Sequence, residues 1–393
     1  MHLPKNVEYI LSAYRDAAYE AFVVGGPVRD ALLLKTPTDY DITTSATPDE
    51  TREVFRGHRI IETGLAHGTL TLLLDGEPYE VTTYRVDGEY ADHRHPDTVT
   101  FTRSLKEDLA RRDFTVNAMA YAPEFGLVDP FGGTEDLSHR ILRAVGDPYR
   151  RFDEDALRIL RGLRFCSVLS FDIEEKTARA MRELAHLLPS VSVERVLVEL
   201  DKLLMGARAR EVLLEYRDVL AFAIPELSFS ALPELTPLVD APSRLLLLSI
   251  ASGLCGAQYR ALCDRLHTDR ARRQLGEDVY RVLSLPYATD ADLLMLAHEG
   301  GREAACLSLT LRSLLGEPTE RARERLRKLL LDGAPTELSQ LALRGADLAL
   351  RGLRGSEIGL TLRSLLFAVM RGECENTRDA LLSYLDHLDQ KGE

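Results

Sequence analysis

The stretch Ala21-Phe22-Val23-Val24-Gly25-Gly26-Pro27-Val28-Arg29-Asp30 constrains this chain more than any other. Four apolar residues in a row read as a buried strand, two glycines break it, and Pro27 suits the first turn of a helix continuing through Val28, Leu32 and Leu33. A strand that runs through Gly-Gly into a helix brings backbone close to an anion, with the N–H groups of the helix start and the Arg29 guanidinium as donors. Shortly after it, Asp39-Tyr40-Asp41-Ile42-Thr43 reads as a second strand. Alternation turns Asp39 and Asp41 to one face, where two carboxylates are expected to share a hard divalent cation, Mg²⁺. A Gly-rich turn and an exposed acidic strand explain either half alone. Together they point to phosphoryl chemistry on a metal-assisted pattern.

The flanking sequence builds a mixed head. Val7, Ile10, Leu11 and Tyr14 have helical spacing between Asn6, a candidate N-cap, and about Glu20. Pro48 to Phe55 is a short helix with an acidic start. The period then changes to two: residues 68–74 and 79–85 flank Asp75-Gly76-Glu77-Pro78, a hairpin signal. Glu80 is the one acid among the β-formers of the second strand; a solvent-facing residue explains it, and so does a third carboxylate beside a two-Asp metal site. Residues 86–103 are polar and irregular, a functional or disordered loop. His67, His93 and His95 are expected to be solvated, since no second cluster completes a metal set. In Arg111-Arg112-Asp113-Phe114-Thr115-Val116-Asn117, Asp113 and Asn117 are expected on one face of a helix. Such a pair orients a ribose or the end of a triphosphate, with Arg111 or Arg112 on the phosphates.

From about residue 137 the strand signal fades, apart from a short candidate at Ile141–Val145, and helices follow one another. Asp153–Leu169, Glu174–Leu187, Val193–Met205 and Arg208–Phe222 are the clearest, with Gly206 a natural stop. Pro225, Pro233, Pro237 and Pro242 make 223–243 a connector. The expected fold is an α+β head with a mixed or antiparallel sheet and flanking helices, followed by an all-α neck, body and tail. The corresponding domains are 1–138, 139–222 and 223–393.

The 393 residues suffice for two or three domains and a sizeable core. A net charge of −13 argues against a wholesale basic nucleic-acid binder, so an RNA partner must be held by local basic patches and metal ions. The densest such patch is Arg321–Lys328, which reads either as a solvated helix face or as a phosphate-backbone contact. Five cysteines without C-x-x-C pairs read as reduced and mostly buried. With no signal-peptide core and no apolar run near 20 residues, the expectation is a soluble cytoplasmic chain, without membrane attachment or an evident protein partner.

Glu154, Asp155, Arg158, Arg161 and Arg164 share one predicted helix. Acids at the positive helix end and a Glu154–Arg158 ion pair explain much of this pattern. Base chemistry offers a second explanation. Cytosine and adenine each present an exocyclic amine beside a ring-nitrogen acceptor, and uracil and guanine reverse that pattern. An Asp155 that accepts from the amine, with Arg158 donating to the ring nitrogen, accepts C and A and rejects U and G. Each reversed pair costs about 1–3 kcal/mol.

Gly25-Gly26-Pro27-Val28-Arg29-Asp30, Asp39-Tyr40-Asp41, Arg111 to Ala118, Asp129-Pro130-Phe131-Gly132-Gly133, Glu154-Asp155-Ala156-Leu157-Arg158 and Glu194 to Leu200 stand in the order of six motifs. In this the chain resembles the bacterial class II CCA-adding enzymes, tRNA nucleotidyltransferases of the DNA polymerase β superfamily, over about residues 20–205. The resemblance implies that Asp39 and Asp41 hold catalytic metals and that Gly25, Gly26 and Arg29 hold the triphosphate. It implies that Arg112, Asp113 and Asn117 set the sugar. Glu154, Asp155 and Arg158 would then choose CTP or ATP without a nucleic-acid template, and Arg161 and Arg164 join the nucleotide-binding set. Glu80 sits where such proteins often carry another acid, and Glu194, Arg195 and Glu199 brace the neck helices. The implied partners are the tRNA 3′ end, CTP and ATP.

Among the relatives, CC-only enzymes lack a flexible loop between the first two motifs, whereas this chain has residues 85–99 there. Bacterial poly(A) polymerases carry an Arg-Arg-Phe-type stretch where this chain reads Ile61 to Thr69, and no His-Asp dipeptide marks an appended phosphohydrolase. An A-only enzyme stays open, as does, from another class, an inactive RNA-binding protein on a decayed transferase head.

Overall fold

The computed structural model describes residues 1–88, 99–230 and 232–391. Helix α1 (Lys5–Asp16) opens after Pro4, two residues ahead of the expected cap at Asn6, and buries Val7, Ile10, Leu11 and Tyr14. Strand β1 (Ala21–Val24) is buried along its whole length. Its continuous apolar run has a direct cause, because both faces of the sheet are covered there. Ala21 and Val23 join one core with Ile42, Phe55, Leu72 and Val81. Phe22 and Val24 join another with Tyr84, Leu109, Ala120 and Val145.

Past the Gly-Gly turn come α2 (Gly26–Leu32), β2 (Ile42–Thr44) and α3 (Pro48–Val54), the last opened by a capping box between Thr47 and Glu50. Strands β3 (Arg59–Gly64), β4 (Thr69–Leu74) and β5 (Glu77–Thr83) form an antiparallel meander. The β4–β5 turn is two residues, Asp75-Gly76, both at positive φ (51° and 84°), the geometry that lets a hairpin follow the strand twist. The polar stretch after it is less irregular than expected at its ends: β6 (Arg85–Asp87) pairs antiparallel with β7 (Val99–Phe101). The rest of that loop, including His93 and His95, lies outside the described residues. Helix α4 (Leu105–Ala110), strands β8 (Ala120–Ala122) and β9 (Gly126–Val128) and helix α5 (Gly133–His139) complete the head. The sheet order is β3-β4-β5-β2-β1-β8-β9, with β2–β5 parallel and the other pairs antiparallel.

Strand β10 (Ile141–Leu142) pairs with β11 (Asp172–Ile173), and around them pack α6 (Pro148–Glu154), α7 (Leu157–Leu169), α8 (Glu175–Glu183) and α9 (Val193–Leu204). The helix expected over Asp153–Leu169 is therefore two helices. The one expected over Arg208–Phe222 also breaks, at Tyr216. Gly206 after α9 is a close-approach glycine, since a Cβ there would fall 2.0 Å from Ser167 Oγ.

The chain divides into two compact units, Met1–Pro225 and Glu226–Glu393. The second is helical: its longest helix, Asp290–Leu314, sends Leu294 to one apolar cluster and Leu293, Leu296 and Leu309 to another. On its helix Glu320–Leu331, Leu326 is buried and Arg325 pairs with Asp290 at 2.7 Å, while Arg321, Arg323, Arg327 and Lys328 are exposed. All five cysteines are free thiols, two of them buried. Among the described residues no helix is long and apolar enough to cross a membrane.

Candidate active site

Gly25 is the pivot between β1 and α2. Its φ of 76° and ψ of −126° suit a residue without a Cβ. Its N–H donates to Met119 O at 3.2 Å, and Val24 N–H donates to Asp41 O at 3.0 Å. A Cβ on Gly25 would stand 3.0 Å from Arg112 Nη1, so the bare backbone is what lets that guanidinium lie against the turn. With α2 only seven residues long and the Gly25 N–H already spent, the helix start is a weaker anion donor than the sequence suggests. The positive field comes from side chains. A cavity of about 440 Å³ is lined by Gly25 and Gly26, by Arg29, Arg111, Arg112, Arg158, Arg161, Arg164 and Arg195, and by Asp41, Asp113 and Asp155. Seven arginines against three aspartates is how a chain of net charge −13 presents a local anion site.

Asp113 and Asn117 meet here, but not on a helix. The backbone at 113–115 pairs with residues 143–145: Val145 N–H donates to Asp113 O, Thr115 N–H to Arg143 O, and Phe114 bridges Ala144. Those bonds hold the segment extended, and only Thr115–Asn117 forms a single 3₁₀ turn. The turn still delivers Asn117 Nδ2 to Asp113 Oδ1 at 3.1 Å. Arg29 Nη1 donates to Asn117 Oδ1 at 2.7 Å, and Arg161 grips Asp113 Oδ2 through Nε and Nη2 at 2.9 and 2.6 Å. Burial pushes the Asp113 carboxyl up, yet the Arg161 charge and the bonds from Asn117, Arg161 and Phe114 N–H outweigh it and hold the pKa at about 2. Arg112 is depressed by burial, with Asp108, Asp41 and Asp113 opposing, and its Nε is buried without a partner among the described residues.

The break between α6 and α7 places the base-reading candidates. Asp155 is extended (φ −146°, ψ 103°), and its Oδ1 accepts Leu157 N–H at 3.1 Å, which restarts the helix. Its Oδ2 accepts from Arg195 of α9 at 2.8 Å. Glu154 Oε2 accepts from Arg158 Nη1 at 2.7 Å, so the expected ion pair spans the break. Carbonyls of Arg151 and Arg111 hold the rest of the Arg158 fork at 2.9 and 3.2 Å. Arg164 pairs with Glu199 of α9 at 2.8 Å. The bracing expected of Arg195 and Glu199 is thus applied directly to the residues of the cavity.

Asp39 and Asp41 lie just ahead of β2, not within it. Glu80 stands on β5, and the first rung between the two strands is Ile42↔Val81, so Asp41 and Glu80 are the preceding residues on each side. Ile42 and Val81 point into the core, which turns Asp41 and Glu80 to the opposite face. Asp39, Asp41 and Glu80 share a groove of about 1050 Å³ with Lys35 and His2, while Asp41 also borders the arginine cavity. Although Asp41 is open on one side, the groove walls strip water from it and raise its pKa, Arg112 opposing and Asp39 adding. A nearby dication relieves such crowding. Among the described residues no three His, Cys, Asp or Glu converge into a metal cage. Two carboxylates fit Mg²⁺ nonetheless, because that ion completes its shell with water and substrate phosphate oxygens.

Sequence reasoning passed over Asp108. It is fully buried and accepts from Arg111 at 2.8 Å, Thr43 Oγ1 at 3.2 Å and Arg85 N–H at 3.4 Å, tying β2, β6 and the Arg111-Arg112 pair together. Its place beside buried Leu109, four residues before Arg112, was the available signal.

This architecture is matched in known proteins. Residues 21–143 fit the family model described as the poly A polymerase head domain, and residues 170–230 that of the probable RNA and SrmB-binding site of polymerase A. Both models describe parts of poly A polymerase-type proteins, a head and an RNA-binding segment. A CCA-adding enzyme of Enterococcus faecalis is 38% identical over 401 aligned positions, covering 99% of this chain and 97% of the relative. One from Lactobacillus helveticus is 36% identical, covering 97% and 96%. The crystal structure of the Bacillus stearothermophilus CCA-adding enzyme in complex with CTP superimposes with a TM-score of 0.82 at 32% identity, covering 100% of this chain and 99% of that one. The chain belongs to the family of CCA-adding enzymes.

Proposed function

We propose that the arginine cavity takes CTP or ATP and that the chain adds C, C and A in turn to the tRNA 3′ end, without a nucleic-acid template and with release of pyrophosphate. One observation carries the reading. A carboxylate and a guanidinium of complementary hydrogen-bonding sense, Asp155 and Arg158, are each locked by neighbours and open onto the same cavity as the arginine cluster and Asp41. Asp155 accepts from the exocyclic amine and Arg158 donates to the ring nitrogen. Asp113, with Asn117 and Arg112, sets the sugar, while Gly26, Arg29, Arg161 and Arg164 receive the phosphates and the bare Gly25 turn seats Arg112. Glu154 holds Arg158.

In the transfer the tRNA 3′-hydroxyl attacks the α-phosphorus in line, one P–O bond forms, and the bond to pyrophosphate breaks. Asp39 and Asp41, with Glu80 across the groove, are the residues that would hold Mg²⁺; when bound, it supplies Lewis acidity for the hydroxyl and charge neutralisation for the leaving group. The chain's own arginines share that second task, and their placement in advance is what lowers the barrier. Residues 1–138 form the catalytic head, 139–222 the nucleotide-selecting neck, and 223–393 the body and tail that bind tRNA, in the cytoplasm. Incubation with tRNA lacking its last three nucleotides, Mg²⁺ and single or mixed nucleotides, followed by sequencing of the ends, tests this directly. CCA ends are the expected product; A alone, a long A tail or no addition would overturn the assignment.

A further inference from the structure

Phe165 follows Arg164 on α7 and is 7% exposed, yet it lines the arginine cavity. Three guanidiniums stand over its one ring: Arg164 at 4.0 Å from the centroid, Arg29 at 5.3 Å and Arg161 at 5.6 Å. The Phe114 ring meets it edge-on at 5.8 Å and 80°, fixing the plane of the plate. Significant cation–π contacts occur roughly once per 70–80 residues, so three on one ring is a concentration that random packing does not supply.

The three cations come from two elements, α2 and α7, and each has its carboxylate elsewhere: Asp30 for Arg29, Asp113 for Arg161 and Glu199 for Arg164. Like charges drawn this close repel. A carboxylate at the centre would gather them but would also cancel the field an anionic ligand needs. An aliphatic side chain would leave that field intact and do nothing to hold the fan together. A ring face does both jobs, because its quadrupole attracts cations while carrying no net charge.

We propose that Phe165 is a positioning residue for the polyphosphate of the incoming nucleotide, gathering Arg29, Arg161 and Arg164 into one anion-receiving fan. This rests on the reading of the cavity as the nucleotide site. The test uses the full-length protein and titrates three probes separately: CTP, inorganic tripolyphosphate and cytidine. Phe165→Leu removes the ring face, Phe165→Tyr keeps it, and pentafluorophenylalanine at position 165 keeps the shape while inverting the quadrupole. Loss of two or three cation–π contacts is expected to weaken CTP and tripolyphosphate about 5- to 30-fold in the Leu and pentafluoro proteins, with Tyr near wild type. Cytidine binding should stay unchanged, and KM for both nucleotides should rise with kcat within about twofold. If Phe165→Leu does not fold, the pentafluoro protein carries the test alone. The proposal is overturned if tripolyphosphate binds the pentafluoro protein as tightly as wild type, if Tyr loses as much as Leu, or if cytidine affinity falls in parallel. A wild-type protein that binds neither CTP nor tripolyphosphate would instead sink the nucleotide reading of the cavity, and this inference with it.

Discussion

Replacing Asp155 by Asn changes one atom and removes one charge, and the neighbours of the side chain fix the consequence. Both carboxylate oxygens are already acceptors, Oδ1 for Leu157 N–H at 3.1 Å and Oδ2 for Arg195 at 2.8 Å. An ionised carboxylate has about four lone-pair sites, so it can keep both partners and still accept from a base amine. An amide has a single acceptor oxygen. In Asp155→Asn one of the two partners must face an NH₂ group, the lock is lost, and the side chain can turn to offer a donor to a base carbonyl. One of the two reversed contacts that exclude U and G then costs nothing, which returns about 1–3 kcal/mol, or roughly 5- to 150-fold in selectivity. The assay is kcat/KM for each of the four nucleotides on tRNA lacking its last three residues, compared as C over U and, on tRNA ending in CC, as A over G. Both ratios should fall by that factor, while the lost partner lowers the thermal midpoint by only a few degrees. An active variant with both ratios unchanged would refute the assignment of Asp155 as the base-reading acceptor.

Three further outcomes are expected from the same geometry. Asp39→Ala should lower incorporation by about three orders of magnitude, as loss of a metal-holding carboxylate does, with tRNA affinity unaffected in a filter-binding measurement; a wild-type rate would remove Asp39 from the reaction. Gly25→Ala forces a Cβ into a backbone conformation that costs about 1–3 kcal/mol and against Arg112 Nη1 at 3.0 Å, so KM for CTP should climb about tenfold or more; an unchanged KM would show that Arg112 does not depend on the bare turn. Asp113, held at about 2 instead of its ordinary 3.8, favours the folded state by about 2 kcal/mol when ionised. Because its folded pKa is depressed, that contribution is complete above about pH 5 and drains away as pH falls from about 4 towards 2. Urea melts should therefore show the gap between wild type and Asp113→Asn narrowing by about half between pH 5 and pH 3; a gap of constant size would mean the pair with Arg161 does not control the carboxyl.

Much of the head was legible in the chain itself, because local patterns there are sufficient causes. An apolar run four residues long, ended by Gly-Gly-Pro, can be little other than a strand turning into a helix, and Asp75-Gly76 between alternating segments specifies its own hairpin. The residue types at the site were legible too, since paired carboxylates and clustered arginines carry their chemistry with them. How those residues meet was settled by packing across the whole unit. Asp113 and Asn117 have helical spacing, but pairing of residues 113–115 with 143–145 draws the backbone straight, a competition no local window contains. Asp155 interrupts what reads as one helix because Arg195, forty residues on, gives its carboxylate a partner outside it. Asp108 gathers Thr43, Arg85 and Arg111 from three parts of the chain, and Phe165 gathers three arginines from two helices. Sequence sets which groups are available and which short-range conformations they prefer. Convergence of groups distant in sequence is set by burial and by the need to satisfy every buried charge, and that is resolved only when all the elements are packed together.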